Sequence, residues 1–300
     1  MASAICSWRP ILAKPTISLL RRLRDGQAVR LRLSYGLAIA GMHVLAILAL
    51  WPAFFSWSGV AVFAIMYYLS GGLGITLGYH RLLTHRSFRT YKPVEYTLAL
   101  LACLAWQGGP IRWVGTHRLH HTESDQPGDP HSPRDGFGWA HMFWVVYHSP
   151  NGEDVCDYAK DLQRDKMLTL LDRFWWMPQF FLAAVLYMLG WLVLGTAIGG
   201  LSWVLWGVCM RVVFQYHATW LVNSGSHLWG YRRFDTSDDS RNNWWIALLS
   251  FGEGWHNNHH AQQRSAAHGM RWYEFDITYL TINIMHRLGL AWDIVRPKPA

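Results

Sequence analysis

Charged residues are scarce in this chain of 300 residues, where Asp, Glu, Lys and Arg together make up only 15%. A soluble domain carries roughly 25% charged residues, so the composition is not that of an ordinary soluble protein. Cysteine is also scarce, with four residues and no CxxC pair, which argues against a secreted disulfide scaffold. Intrinsic disorder is excluded, because 51% of the residues are hydrophobic and supply ample surface to bury.

Aromatic residues, by contrast, are abundant, with 19 Trp, 13 Tyr and 13 Phe. Amphipathic rings in such numbers are typical of proteins that contact lipid headgroups. The net charge is +8, but the basic residues flank apolar stretches instead of forming one groove-sized patch. This arrangement argues against a nucleic-acid partner and favours contact with membrane lipid. The composition therefore predicts an integral membrane protein.

Four stretches are apolar and long enough to cross a bilayer of about 30 Å, which needs roughly 20 residues. They cover about 33–55, 58–79, 174–194 and 197–222. The turns inside the two pairs of spans carry no charge, whereas Arg and Lys gather before the first span and after the second and fourth. The positive-inside rule therefore predicts a multi-pass protein with both termini and both long segments, 80–173 and 223–300, in the cytoplasm.

Three shorter features complete this topology. Residues 1–32 are rich in Arg and poor in acidic residues, so we expect a basic interfacial segment, with an organellar transit peptide as the alternative. The apolar segment Val94–Trp106 is too short for a comfortable span, and we interpret it as interfacial or re-entrant. The glycines between Gly71 and Gly78 predict close helix packing, because no strand precedes them as in a phosphate-binding loop.

Histidines form three motifs on the predicted cytoplasmic side. His80 and His85 form HxxxxH, and two HxxHH motifs follow, made of His117, His120 and His121 and of His256, His259 and His260. On a helix, positions i, i+3 and i+4 share a face, so each HxxHH presents several imidazoles to one small volume. An i, i+5 pair is rotated by about 140° at 3.6 residues per turn, so His80 and His85 are predicted to address two different metal ions.

These eight histidines favour one kind of metal centre. Imidazole binds iron, zinc and copper, and the lack of Cys in the motifs argues against thiolate zinc sites and iron–sulfur clusters. A zinc hydrolase typically needs about three protein ligands, which these motifs exceed. We therefore expect a two-iron centre that activates O₂. Seven of the remaining histidines are assigned to structural roles: His43, His131, His141, His148, His217, His268 and His286.

At these motifs the chain resembles the membrane fatty acyl desaturases, in particular the branch of stearoyl-CoA-type Δ9 desaturases. The likeness covers Leu77–Phe88, Trp113–His121, Asp129–Phe137, Ala218–His227, Gly252–His260 and Leu288–Asp293. It includes an Asn-Ser-x-x-His motif at Asn223 to His227, and implies nine iron ligands: His80, His85, His117, His120, His121, His227, His256, His259 and His260. The resemblance also implies that Asn223 holds one iron through a water, and that Gln107, Trp113 and Thr219 line the bend of an acyl tunnel.

The resemblance implies an all-α fold in which a bundle of four transmembrane helices carries a helical cytoplasmic cap that holds the di-iron site. Residues 33–300 would form this single domain. The activity would be insertion of a cis double bond, at Δ9, into a long-chain saturated acyl substrate with O₂ and two electrons. Neither a haem-binding His-Pro-Gly-Gly motif nor a nucleotide-binding fingerprint is found, so a separate donor such as ferredoxin, rubredoxin or cytochrome b5 is expected. Such donors are typically acidic and would suit a basic face.

One departure concerns the carrier of the acyl chain. Animal acyl-CoA members have an Arg-Asp pair before the second motif and an Asn after the tunnel Gln, and these residues contact the CoA head. This chain has Gly115, Thr116 and Gly108 there. Loss of a guanidinium–phosphate contact would weaken CoA recognition, so both CoA and a glycerolipid stay open as carriers.

Two other functions compete with this interpretation. A di-iron lipid hydroxylase, or a desaturase of different regiochemistry, would share the same core and differ in its product. A non-catalytic transporter or metal-binding membrane protein would place ionisable groups along the bilayer midplane and often shows internal repeats. Of the basic side chains, only Arg211, His43 and His217 lie within the predicted spans, and the doubled HxxHH is the sole repeat, so this class is disfavoured.

Overall fold

The computed structural model describes residues 30–147 and 155–298, and this part of the chain is mostly helical. Its α-helices are α1 Leu33–Ala49, α2 Trp57–Tyr67, α3 Lys92–Cys103, α4 Pro110–Glu123, α5 Trp144–Val146, α6 Lys160–Gln163, α7 Lys166–Arg173, α8 Met177–Leu194, α9 Ala197–Val204, α10 Arg211–Ser224, α11 Trp244–Leu249, α12 His256–Ala261 and α13 Ile277–Arg287. Three π-helical segments cover Tyr68–Thr84, Trp139–Phe143 and Leu205–Met210, and short 3₁₀ turns cover Pro52–Phe54, Pro133–Asp135, Val155–Ala159 and Gly225–His227.

Two short strands accompany the helices. β1, Arg89–Thr90, pairs antiparallel with β2, Ala291–Trp292. The pairing ties the chain just after the first histidine motif to the C-terminal end of the described residues. Of the predicted N-terminal segment 1–32, all but the last three residues lie outside the described part of the chain.

Three continuous helices are long and apolar enough to cross a membrane, namely Trp57–Thr84, Met177–Leu194 and Ala197–His227. They match the second, third and fourth predicted spans, although two of them end at Thr84 and His227 instead of 79 and 222. Helix α1 has 17 residues and, at 1.5 Å per residue, a length of about 25 Å, which is shorter than the other three. The first predicted span, which contains α1, therefore stays a prediction.

Local side-chain chemistry explains how these long helices begin and turn. The Ser56 hydroxyl accepts a hydrogen bond from Gly59 N at the start of α2, and the Thr196 hydroxyl accepts one from Gly199 N at the start of α9. Such N-caps satisfy backbone N–H groups that have no partner inside the helix. Between α8 and α9, Gly195 adopts a left-handed φ of 70°, which permits the sharp reversal of the chain.

The glycines in the π-helix Tyr68–Thr84 allow α3 to lie directly against it. A Cβ atom at Gly74 would stand 2.5 Å from the backbone N of Ala102, and one at Gly78 would stand 3.1 Å from Leu98 Cβ. The prediction that these glycines serve close helix packing is therefore confirmed. Helix α3 is the apolar segment Val94–Trp106 of the sequence, and its interfacial position stays a prediction.

Candidate metal centre

Nine histidines from separate segments of the chain meet in the interior of the protein. His80 and His85 lie at the end of the π-helix Tyr68–Thr84, and His227 ends the long helix that begins at Ala197. The others lie on α4 and α12, the two helices that carry the HxxHH motifs. His117 and His121 are half-buried and the other seven are buried. The fold therefore brings together all nine residues that the sequence singles out.

The nine imidazoles form two clusters, in each of which the potential ligand nitrogens lie within 4.8 Å of one another. Cluster 1 contains His80, His85, His117, His121 and His259, and cluster 2 contains His120, His227, His256 and His260. In cluster 1 the Nε2 atom of His259 lies 2.9 Å from that of His121 and 3.2 Å from that of His80. In cluster 2 the Nε2 atoms of His227 and His256 are 3.1 Å apart.

Each HxxHH motif divides its imidazoles between the two clusters. The outer pair of α4, His117 and His121, belongs to cluster 1, while His120 between them belongs to cluster 2. In α12 the outer pair, His256 and His260, belongs to cluster 2, while His259 between them belongs to cluster 1. The clusters adjoin, with 4.6 Å between the ring centres of His121 and His260. The imidazoles of both motifs thus meet in one small volume, as predicted, and they form two adjoining sites there.

The predicted separation of His80 and His85 is wrong, because both belong to cluster 1. That prediction assumes 3.6 residues per turn, but the segment Tyr68–Thr84 is a π-helix. In a π-helix the hydrogen bond runs from residue i+5 to residue i, so residues five apart lie above one another. The ring centres of His80 and His85 are accordingly 4.7 Å apart.

Four carboxylates hold the outer nitrogens of four histidines. The distance from the histidine Nδ1 to the carboxylate oxygen is 2.6 Å for His80 and Glu253, 3.0 Å for His120 and Asp129, 2.7 Å for His227 and Asp125, and 2.6 Å for His260 and Asp238. A carboxylate beside Nδ1 places the proton there and leaves the Nε2 lone pair free to bind a metal. The sequence interpretation missed all four acids, because none of them stands at ligand spacing from its histidine.

The donor set fits a pair of metal ions. Nε2 of His85, His120 and His260 is buried and has no hydrogen-bond partner in the described part of the chain, a costly arrangement that a metal ion would relieve. The close Nε2 pairs of both clusters point lone pairs at a shared position, which suits a cation better than a hydrogen bond. Within the described residues neither cluster contains a cysteine, and imidazole-only sites suit iron, copper or zinc.

Burial and charge tune the protonation of these groups toward metal binding. Burial, reinforced by neighbouring imidazoles, holds the pKa of His259 and that of His256 well below the usual value for histidine. Burial alone would raise the pKa of Asp129, but its interaction with His120 lowers it below the usual range of a carboxyl group. The Asp129 carboxylate is thus ionised and the imidazoles of His256 and His259 are neutral, which is the state that binds a metal.

Two histidines assigned to structural roles lie directly against the clusters. The ring centre of His268 is 4.3 Å from that of His259, and the ring centre of His131 is 4.3 Å from that of His120. His268 Nδ1 also lies 3.1 Å from Glu253, which therefore faces both His268 and His80. Only the tertiary structure brings these isolated histidines to the site.

Three other histidines form a chain away from the clusters. Nε2 of His217 lies 3.1 Å from Nε2 of His43, and its Nδ1 lies 2.9 Å from Nε2 of His141. The far side of His141 contacts the Ser224 hydroxyl at 3.0 Å. These contacts connect α1, the π-helix Trp139–Phe143 and α10, in keeping with the structural role predicted for the three histidines.

The two asparagines inside the second HxxHH motif anchor α12. Asn257 Oδ1 accepts hydrogen bonds from the backbone N–H groups of Arg233 and Phe234. Asn258 donates to the His268 carbonyl at 2.8 Å and to Glu274 at 2.9 Å. A helix of only six residues has little stability of its own, so these side-chain bonds hold its histidines in position.

A narrow apolar cavity of about 50 Å³ runs from the clusters between the long helices. His80, His117 and His256 lie at one end and Tyr67, Gly71 and Phe251 further along, with Trp113, Thr219 and Asn223 also on its wall. Gln107 donates to Thr219 Oγ1 at 2.9 Å and accepts from Trp113 Nε1 at 3.3 Å. The residues expected at the tunnel bend thus form one hydrogen-bonded group beside the metal-binding side chains.

Comparison with known proteins agrees with this geometry. The family model described as "Fatty acid desaturase" matches residues 60–283. The sn-1 stearoyl-lipid 9-desaturase of Anabaena variabilis is 50% identical over 254 residues, which cover 85% of this chain and 90% of the relative. The enzyme of the same name from Synechocystis sp. is 46% identical, with 85% and 78% covered. An acyl-CoA 5-desaturase of Anemone leveillei is 42% identical, with 87% and 78% covered.

Proposed function

Because the chain belongs to the fatty acid desaturase family, we propose that it inserts a cis double bond at Δ9 of a saturated acyl chain carried on a membrane glycerolipid. The chain is an oxidoreductase, as its family shows. The observation that carries the proposal is the narrow apolar cavity that ends at both histidine clusters. The apolar lining of this cavity suits an acyl chain, and carbons that enter it would lie against the metal-binding side chains.

The nine histidines would hold two iron ions, with Asn223 holding one of them through a water. Iron at this position would supply the oxidation of unactivated C–H bonds with O₂ and two electrons. The protein contributes position and protonation: Glu253, Asp129, Asp125 and Asp238 each hold an Nδ1 proton, and burial keeps bulk water from most of the imidazoles. Both effects support a rigid centre with neutral ligands.

Gln107, Trp113 and Thr219 would bend the acyl chain and fix which carbons react. Their mutual hydrogen bonds leave no side-chain freedom at this point of the wall. A shift of about 1 Å at a reacting group can cost a factor of 10² in rate, so a rigid wall also selects a carbon pair. This supports a single main double-bond position.

The carrier follows from the surroundings of Gly115. A Cβ atom there would lie 2.0 Å from the backbone O of Val155, so this position is covered by the chain and has no room for a CoA-binding arginine. The two relatives from Anabaena and Synechocystis are named for stearoyl-lipid substrates. Both observations support a glycerolipid over CoA.

The membrane arrangement and the electron donor complete the proposal. We place the protein in the membrane with four spans, α1 being the first, and with both termini and the metal centre on the cytoplasmic side. The uncharged hairpins Trp51–Gly59 and Leu194–Leu201 support this orientation. A separate acidic protein of ferredoxin, rubredoxin or cytochrome b5 type would supply electrons, in agreement with the net charge of +8.

The first experiment is a product analysis in a desaturase-deficient host that expresses the full chain with a compatible electron donor. We expect Δ9-monounsaturated acyl chains, and none with the His256→Ala variant, which lacks one imidazole of cluster 2. Hydroxylated acids would replace the proposal with the hydroxylase alternative, and a double bond elsewhere would change the regiochemistry. A folded protein that purifies without iron would overturn the di-iron centre.

A second experiment identifies the carrier. The purified enzyme in nanodiscs receives either stearoyl-CoA or a stearoyl glycerolipid, each with the same donor and O₂. We expect product from the glycerolipid alone. Product from stearoyl-CoA at an equal or higher rate would overturn the choice of carrier while leaving the acyl desaturation in place.

A further inference from the structure

A second cavity, separate from the apolar one, adjoins the metal-binding side chains. It has a volume of about 480 Å³ and contacts His121 of cluster 1 and His260 of cluster 2. The narrow apolar cavity proposed to hold the acyl chain, which we name the acyl cavity, instead contacts His80, His117 and His256. Among the described residues none lines both cavities, so the two clusters are reached by two separate routes.

The walls of this cavity, which we name the polar cavity, are hydrophilic and reach the solvent. Hydroxyl, amide and carboxylate side chains dominate its lining: Thr122, Ser124, Gln126, Asp235, Thr236, Ser237, Asp238 and Gln263. The Asp235 side chain is fully exposed, whereas His260 is only 7% exposed. The polar cavity therefore runs from bulk water to buried imidazoles.

Unpartnered polar atoms mark its inner end. Ser124 Oγ, His121 Nδ1 and His260 Nε2 are buried and have no hydrogen-bond partner among the described residues. His260 Nε2 faces the metal position of cluster 2, which leaves the Ser124 hydroxyl and His121 Nδ1 for another polar group. Water is the natural partner for such atoms in a cavity that is hydrophilic and roomy.

The proposed reaction requires an aqueous route of this kind. Conversion of –CH₂–CH₂– to –CH=CH– removes two electrons and two hydrogens, a separate protein supplies two more electrons, and O₂ takes up all four. With two protons from the solvent, the products are the alkene and two waters. During turnover the acyl cavity is filled by substrate, and its apolar wall does not stabilise hydrated protons or water.

We propose that the polar cavity is the passage through which water leaves the metal centre and protons enter it. This inference rests on the proposed desaturase function for the need for water and protons, and on the lining for the location. The electron donor is a poor alternative occupant, because Asp235 and Asp238 line the cavity and no lysine or arginine among the described residues does. An acidic donor would be repelled there.

Azide binding to the iron-loaded, oxidised full-length enzyme tests the route without turnover. The rate constant is measured by stopped-flow from the iron–azide absorption band, with wild type, Ser237→Trp and Ser237→Ala. Ser237 is exposed and lines the cavity, so Trp would narrow it and Ala would not. We expect Ser237→Trp to bind azide several-fold more slowly than wild type and Ser237→Ala, and a saturating acyl substrate to leave the wild-type rate unchanged.

Asp235→Asn tests the same route by charge and is independent of any folding defect of Ser237→Trp. Removing this negative charge should speed entry of the azide anion about twofold at low salt, and less at high salt. Asp157→Asn is the matched control, because Asp157 is also an exposed aspartate paired with a cation three residues away and lies outside the cavity lining. It should leave the rate unchanged.

Two results would overturn the inference: an azide rate that Ser237→Trp and Asp235→Asn leave at the wild-type value, or a rate that acyl substrate abolishes. The second would mean that small polar molecules enter by the acyl cavity. Failure of the desaturase function is recognised separately, since it appears as absent double bonds in the host while the azide rates still depend on the polar cavity.

Discussion

The backbone N–H of His85 donates a hydrogen bond to the carbonyl of His80, 3.1 Å away. This i+5 to i bond closes the π-helical segment and brings together two histidines that an α-helix would turn apart. Both therefore contribute to cluster 1, together with side chains from α4 and α12. π-Helical turns are uncommon and often occur at functional sites, and here the turn decides how many imidazoles one metal position receives.

Removal of two histidines from one cluster should cost one metal ion, and removal of one from each should cost both. We expect the double variant His80→Ala/His85→Ala to purify with about one iron per chain, because cluster 2 keeps all its ligands. The matched variant His85→Ala/His227→Ala should retain close to none. Metal analysis of the purified proteins measures both. Equal losses would contradict the assignment of His80 and His85 to one cluster.

The carboxylate behind His260 should matter for metal affinity. Asp238→Asn removes the charge beside Nδ1 of His260, 2.6 Å away, and comparable changes weaken metal binding about 10- to 100-fold. Iron retention against a chelator gives the affinity. Asp235→Asn is the control, since its fully exposed side chain lies three residues away in sequence and pairs only with Arg232 at 3.7 Å. Similar retention in the two variants would refute the role of Asp238.

Packing of α3 against the π-helix predicts opposite effects for two glycines. Gly74→Ala forces a Cβ to within 2.5 Å of a backbone N and should lower the free energy of unfolding by about 1–3 kcal/mol. At Gly41, on α1, an added Cβ meets nothing within 4 Å, so Gly41→Ala should be neutral or stabilise by about 0.4–1 kcal/mol. Unfolding in detergent measures both, and a harmless Gly74→Ala would contradict the close contact.

The metal-free protein should lose stability as the pH falls. Burial lowers the pKa of His131 from 6.5 to about 3, so below pH 6.5 the unfolded chain takes up a proton that the folded chain does not. Each such group costs about 1.4 kcal/mol per pH unit, and the loss runs from pH 6.5 down to about 3.

The variant His131→Asn isolates this contribution. Its free energy of unfolding, measured on chelator-treated protein, should depend less steeply on pH than that of wild type between pH 6.5 and 4. His260, whose pKa is lowered chiefly by burial to about 4, contributes in the same direction. An unchanged slope in His131→Asn would show that His131 does not titrate in this way.

The wall of the acyl cavity should control the product. Thr219→Val removes the acceptor of the 2.9 Å bond from Gln107 and leaves that amide unpaired beside the substrate. Loss of this bond frees the half-buried Gln107 side chain to move, so we expect slower desaturation and a wider distribution of double-bond positions. Thr219→Ser keeps the hydroxyl and should restore a single main product. Gas chromatography of the acyl chains shows whether valine and serine differ.

Much of the fold was accessible from the sequence, because it depends on local composition. The three long apolar helices follow from hydropathy, and their predicted positions agree with the structure. Two of the predicted ends come too early. The helices continue to Thr84 and His227 through polar, metal-binding residues that hydropathy assigns to loops. The role of Gly74 in packing was also predictable, because a helix face that lacks side chains allows a neighbouring helix to approach closely.

The candidate site, too, was only partly predictable from the sequence. All nine histidines stand in short motifs, so spacing and family resemblance identify them without coordinates. Asp125, Asp129, Asp238 and Glu253 were missed, and so was the approach of His268 to the site. None of these residues shows a recognisable spacing to its partner; His227 and Asp125, for example, are 102 positions apart in the chain.

The membrane class and the presence of a metal centre follow from residue types alone: the chain is rich in aromatic rings and has more imidazoles on one side of the predicted spans than a single metal ion requires. How these imidazoles are divided between two sites follows from the fold. The division into two clusters depends on a π-helical turn at His80 and on the positions of α4 and α12, each of which contributes histidines to both clusters. Local spacing sets which side chains share a helix face, whereas a metal site is set by where several faces meet.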